Sequence, residues 1–94
     1  MKADKTRDGE KLTMTVEGSI DTVTAPQLEG DLRSSVNGIS ELEFDLAGLE
    51  YISSAGLRVL VLAVKKLGRN SVKLVNVSDE IRGILEMTGF TSLL

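Results

Sequence analysis

The sequence predicts an α/β fold: a small, open, mostly parallel mixed β-sheet flanked by helices. Three observations lead there. Residues 12–16 and 42–46 alternate apolar with polar side chains, the period of half-buried strands. Between and after them, apolar residues recur at three- and four-residue spacing, the period of helices packed on a core. The two patterns also take turns along the chain, an order that implies parallel pairing through right-handed crossovers. At 94 residues there is chain for one core and no second one, so residues 1–94 are expected to form a single domain.

The elements follow in order. Residues 2–10 are polar and hold Asp8-Gly9, a favoured hairpin turn pair, so they read as a ragged edge strand folding back on the next. In that next strand Leu12, Met14 and Val16 share one face and Thr13 and Thr15 the other. Gly18-Ser19-Ile20-Asp21 then leads to Thr24, where Thr24 and Gln27 have capping-box form and Pro26 falls in the first helical turn. The helix carries Leu28, Leu32 and Val36 as one stripe, and Asn37-Gly38 stops it. Leu42, Phe44 and Leu46 mark a strand, with residues 47–52 as a connection around Gly48. From Ser53-Ser54 a helix runs to Leu67, with Leu57, Leu60, Val61, Val64 and Leu67 as its buried face and Gly68 as its end. Lys65, Lys66 and Arg69 gather there, where positive charge complements the helix dipole. Residues 72–77 read as an interior strand. Ser78, Asp79 and Glu80 start a last helix faced by Ile81, Ile84, Leu85 and Thr88 and closed by Gly89, after which Phe90, Leu93 and Leu94 pack the tail.

Composition narrows the function. The chain has no cysteine and no histidine, which removes disulfides, thiolate nucleophiles, the common zinc ligand sets and histidine-based triads. A net charge of −3 and only three aromatic residues, Phe44, Tyr51 and Phe90, disfavour a nucleic-acid binder, which needs a basic face and stacking platforms. The longest apolar run, Val59 to Val64, is far short of the roughly 20 residues that span a bilayer. With no signal-peptide pattern at the N-terminus, the expected location is the cytoplasm and no membrane partner is expected.

The chemistry concentrates at Ser53 and Ser54, because in open sheets of this type features collect where strand ends meet helix N-termini. The plain reading of a serine there is a cap, worth on the order of 1 kcal/mol. Against it stand two serines where one would cap, and a following Ala55-Gly56 that leaves them uncrowded. Val59, Leu62 and Ala63 lie off the core stripe as a second apolar strip, covered either by the domain's own helices or by a partner with the serines at its rim. A phosphate added at that rim brings about −1.5 to −2 of charge beside a desolvated contact and ejects the partner. It need not melt its host, since free N–H groups and the positive dipole end face it.

Catalytic readings do poorly, and no catalytic residue is assigned. A nucleophile elbow needs glycine two residues before the serine, where Ile52 stands, and no base exists for it. Gly48 and Gly56 lie eight residues apart with Arg58 the nearest cation, a weak case for a phosphate-cradling loop. Asp21, Asp45 and Glu50 are better read as solvated or capping groups than as metal ligands, so neither metal nor cofactor is expected.

The run from Asp45 through Ser53-Ser54-Ala55-Gly56 to Leu57 closely resembles the signature of STAS domains, found in bacterial anti-sigma factor antagonists and, in divergent form, in sulfate transporter tails. Gly18-Ser19-Ile20-Asp21 before Thr24-Ala25 is similar to the family's second landmark. The resemblance implies partner switching. An unphosphorylated antagonist binds an ATPase-type serine kinase that doubles as an anti-sigma factor, phosphorylation of one serine releases it, and a serine phosphatase resets it. Carried over by position, the acceptor is Ser54, Gly56 and Leu57 match the helix start, and Asp21 is the loop aspartate beside it. Ser53 stands where aspartate is frequent, which leaves Ser53 as an alternate acceptor. The implied partner surface is Asp21, Ser53, Ser54, Ala55, Gly56, Leu57, Arg58, Val59 and Leu62. The alternatives are a small-ligand or nucleotide sensor using the N–H groups near Ser54, a regulator of a non-sigma partner, and a structural subunit whose serines are only caps.

Overall fold

The computed structural model describes residues 1–89, so the packing expected of Phe90, Leu93 and Leu94 lies outside the described residues. Its elements are β1 (Lys2–Asp8), β2 (Lys11–Ile20), α1 (Ala25–Ser35), β3 (Glu41–Asp45), β4 (Leu49–Ile52), α2 (Ser54–Leu67), a 3-10 turn (Arg69–Ser71), β5 (Val72–Val75) and α3 (Asp79–Met87). β1 and β2 pair antiparallel; β2–β3, β2–β4 and β3–β5 are parallel. The α/β architecture with an open, mostly parallel sheet is the one the alternation predicts.

Register explains the core. Leu12, Leu42 and Val72 lie side by side across β2, β3 and β5, as do Met14, Phe44 and Leu74, and all six are buried. Their neighbours Thr13, Thr15, Glu43 and Asp45 project from the opposite face and stay in partial contact with solvent. The helices therefore serve one face of the sheet: Leu28 and Leu32 of α1, Leu60 and Ala63 of α2, and Ile81 and Leu85 of α3 join the same apolar cluster.

Several local expectations need correction. The β1–β2 turn is centred on Gly9-Glu10, one residue beyond Asp8-Gly9, and Gly9 takes φ +62° as the first central residue of a type II′ turn requires. The segment 47–52 is more than a connection, since Leu49–Ile52 is a strand. β3 pairs residues 11–15 of β2 and β4 pairs residues 18–20, and a register shift within the β2–β4 pairing at Gly18/Ser19 skips Glu50, so Leu49 and Ile52 are buried while Glu50 and Tyr51 between them are exposed. β5 ends at Val75 because Asn76 adopts φ +55°, and it is the last strand of the β1-β2-β3-β5 path, not an interior one. Ser78 caps α3 as expected, its hydroxyl accepting from the Ile81 N–H, but Thr88 is exposed at the helix end.

Candidate functional site

Two loops meet at the carboxyl ends of β2 and β4, and a backbone bond joins them: the Ser53 N–H donates to the Ile20 carbonyl at 2.8 Å. On the β2 side Asp21 organises the turn into α1. Its Oδ1 accepts from the Val23 and Thr24 N–H groups, both at 2.9 Å, and from the Thr24 hydroxyl at 3.1 Å. The Thr24 N–H, the Thr24 hydroxyl and the Val23 N–H together hold the Asp21 carboxyl below its ordinary range, because each bond favours the charged form. This overturns the capping-box reading. Thr24 occupies the cap position with helical backbone angles and makes no cap bond; its hydroxyl turns back to the Ser19 carbonyl and the Asp21 loop instead.

On the α2 side the serines divide the work. Ser53 has the extended backbone of an N-cap, and its Oγ accepts from the Gly56 N–H at 3.4 Å. Ser54 is the first helical residue; its side chain is exposed, and among the described residues its hydroxyl has no hydrogen-bond partner. One serine is thus structural and the other unengaged.

Gly56 has a different reason from the one composition suggests. A Cβ there would stand 2.7 Å from Ile20 Cγ2 and 2.7 Å from Ile52 Cγ1, so glycine lets the first turn of α2 sit directly on the ends of β2 and β4. That contact fixes where Ser54 is presented. The room it makes is for the sheet, not for the serines.

The second apolar strip is largely internal. Val59 is 2% exposed and Ala63 fully buried, with Val59 beside Ala25 and Pro26 of α1, so Val59 is not available as the partner surface the sequence suggests. Only Leu62 of that strip is part-exposed. Conversely Val61, Val64 and Leu67, expected on the buried stripe, are only partly covered. The buried side of the helix keeps Leu57 and Leu60 of the expected stripe and adds Gly56, Val59 and Ala63. Of the remaining predicted site residues, Asp21, Ser53 and Ala55 are half-buried, Gly56 and Leu57 are buried, and Arg58 is exposed. Sequence reasoning missed Val23, which is 83% exposed in the loop that Asp21 organises, and Thr24 as that loop's tether. An apolar residue set between threonines in a turn was the available signal for Val23.

Among the described residues no group of acidic side chains is arranged to hold a metal ion, and no helix is long and apolar enough to cross a membrane.

Comparison with known proteins gives one consistent result. The family model described as the STAS domain matches residues 2–94. The chain is 36% identical over 85 residues to BtrV of Bordetella bronchiseptica, covering 87% of this chain and 73% of that protein. It is 34% identical over 95 residues to the anti-sigma-B factor antagonist of Listeria monocytogenes, covering 96% and 82%. Among solved structures, the anti-sigma factor antagonist SpoIIAA in its unphosphorylated form superposes with a TM-score of 0.86 at 13% identity, covering 98% of this chain and 84% of that one. Its phosphorylated form superposes with a TM-score of 0.77 at the same 13% identity, covering 98% and 87%.

Proposed function

The chain belongs to the STAS domain family, and on that premise we propose that it is an anti-sigma factor antagonist whose binding is switched by phosphorylation of Ser54. In the unmodified state it binds an ATPase-type serine kinase that also acts as an anti-sigma factor, and so frees a sigma factor in the cytoplasm. Phosphate on Ser54 releases it, and a serine phosphatase restores it. The domain acts as a binding partner and not as a catalyst. Its partner surface is the Ser54 end of α2 with the Asp21 loop: Asp21, Ser53, Ser54, Ala55, Arg58 and Leu62, with Gly56 and Leu57 setting the helix beneath them.

The observation that carries this reading is the division of labour between the serines. Ser53 accepts from the Gly56 N–H, while the Ser54 hydroxyl is exposed and unengaged. A kinase can reach Ser54 without breaking a cap, which favours it over Ser53. The 34% identity to the Listeria antagonist supports the role. The fold shared with SpoIIAA is one that exists both with and without phosphate, which supports a modification that leaves its host folded. Phosphate at the first helical residue also faces N–H groups that have no intrahelical acceptor, so the helix tolerates it.

The test is co-purification from the native cell. Ser54→Ala should hold the kinase constitutively. Ser54→Asp should fold as the parent does, by far-UV circular dichroism, and lose it. Retention of the kinase by a folded Ser54→Asp protein contradicts the proposal.

A further inference from the structure

Charge is distributed along this chain in a way its net value conceals. Between Glu50 and Asp79 there is no acidic residue, while Arg58, Lys65, Lys66, Arg69 and Lys73 all fall there. The other six of the eleven cations share the rest of the chain with all fourteen acids. α2 is the centre of the basic segment, and its outward face reads Ser54, Arg58, Val61, Lys65 at helical spacing, with Leu62 and Lys66 alongside. Arg58, Lys65 and Lys66 are exposed, and Val61 and Leu62 are part-exposed between them. The ion pairs of the described residues join Lys2 to Asp4, Lys11 to Glu43 and Arg33 to Glu29, so none neutralises this face.

Helix stability accounts for only part of it. Lys65 and Lys66 lie in the last turn, where cations oppose the negative dipole end. Arg58 is the fifth residue of the fourteen-residue helix, past its first turn and far from its negative end, so the dipole gives it no such role. The first turn of α2 holds no acid to offset it, whereas that of α3 holds Asp79 and Glu80. A cation with no role at the helix dipole, unpaired among the described residues and set beside part-exposed Val61 and Leu62, is arranged for something outside the domain.

We propose that the outward face of α2 docks an acidic, partly apolar protein surface, with Arg58 as its central cation. The proposal rests on the partner-switching reading and supplies the chemistry of the partner. Cations interleaved with part-exposed aliphatic side chains suit a protein surface with apolar ground between its carboxylates, whereas a nucleic acid would want a longer basic track with stacking residues. It also gives the phosphate a defined action. Ser54 heads the same face one turn from Arg58, so a group carrying about −1.5 to −2 charge there opposes the Arg58 charge and repels the partner's carboxylates. Lys65 and Lys66, about 16 Å or more along the helix, lie beyond screened reach.

The test is photocrosslinking in the native cell with Lys66→p-benzoylphenylalanine on this face and Thr6→p-benzoylphenylalanine on β1 as the control position; both sites are exposed, so neither variant threatens the fold. The expected adduct forms from position 66 and not from position 6. Its crosslinked peptide, sequenced by mass spectrometry, comes from another protein and is rich in Asp and Glu. Adding Arg58→Glu and Lys65→Glu should reduce it at least tenfold, and Arg58→Gln with Lys65→Gln should reduce it less. An adduct from position 6 alone, an acid-poor peptide, a second copy of this chain, nucleic acid or lipid as the captured species, no adduct at either position, or indifference to charge reversal would each overturn the proposal. Ser54→Asp, measured in parallel, separates the two ideas. If Ser54→Asp abolishes the adduct while charge reversal does not, switching stands and this surface falls; the opposite pattern keeps the surface and removes the switch.

Discussion

Replacing Gly56 by alanine tests how the sheet positions the site. The added Cβ meets Ile20 Cγ2 and Ile52 Cγ1 at 2.7 Å and Ile20 Cβ at 3.1 Å, where ordinary contact begins at 3.4 Å, so the helix and the sheet must part by about 0.7 Å. Ile20 cannot swing fully aside, because its β-carbon is itself at 3.1 Å and moves only with its backbone. Overpacking of this kind costs about 3 kcal/mol at the upper end of its range, against about 1 kcal/mol that alanine gains over glycine in a helix. The net is about 2 kcal/mol of destabilisation. Gly83, inside α3, provides the control. Nothing lies within 4 Å of its Cβ position, so Gly83→Ala should stabilise by about 0.5–1 kcal/mol. Urea unfolding followed by circular dichroism reads both. With a slope of about 1–2 kcal/mol/M for a domain of this size, the Gly56→Ala midpoint should fall by about 1–2 M and the Gly83→Ala midpoint should rise by a few tenths of a molar or more. A Gly56→Ala midpoint at or above the parent's would refute the claim that α2 rests directly on the strand ends.

The other predictions concern single side chains. Ser53→Ala should lose about 0.5–1 kcal/mol of a rather long cap bond, and Ser54→Ala should change stability by less than about 0.3 kcal/mol; equal losses in the same urea experiment would contradict the assignment of cap and free hydroxyl. Val59→Ala should cost about 2 kcal/mol as a core truncation with a residual cavity, and a cost near zero would show that it faces solvent after all. The Asp21 carboxyl has a folded pKa below its unfolded one, so its contribution to stability is complete above the ordinary 3.8 and is lost as pH falls through the lowered folded value. Carboxyl-carbon NMR should find it titrating below 3.8, and Asp21→Asn, which keeps an oxygen acceptor, should flatten the acid limb of stability; titration at or above 3.8 would contradict the loop geometry.

The parts of the fold legible in the sequence are those in which one face is buried by large side chains. Leu12, Met14 and Val16 of β2 and Leu42, Phe44 and Leu46 around β3 alternate because the opposite face remains open, and Ser78 is placed as a cap where it caps. β4 was hidden because the register shift opposite Gly18/Ser19 puts its buried residues, Leu49 and Ile52, three apart with two exposed residues between. The buried face of α2 was legible at Leu57 and Leu60 and misplaced at Val61, Val64 and Leu67, because large apolar residues mark a helix face in sequence whereas the buried side here also takes Gly56, Val59 and Ala63. Thr24 and Gln27 have the spacing of a capping box, but local bonds to Ser19 and Asp21 in the preceding turn take the threonine hydroxyl first. The strand-to-helix junction that holds the serine pair was legible in the sequence; which serine caps the helix is set by a bond between side chain and backbone that no spacing reveals.

The central claim is that Ser54, not its neighbour, is the hydroxyl that is modified. Phosphosite mapping by fragmentation mass spectrometry, on protein isolated from its native cells across growth conditions, tests it most directly. Phosphate found on Ser54, in a fraction that changes with conditions, is the predicted result. Phosphate confined to Ser53, or none on either serine under any condition, would contradict it.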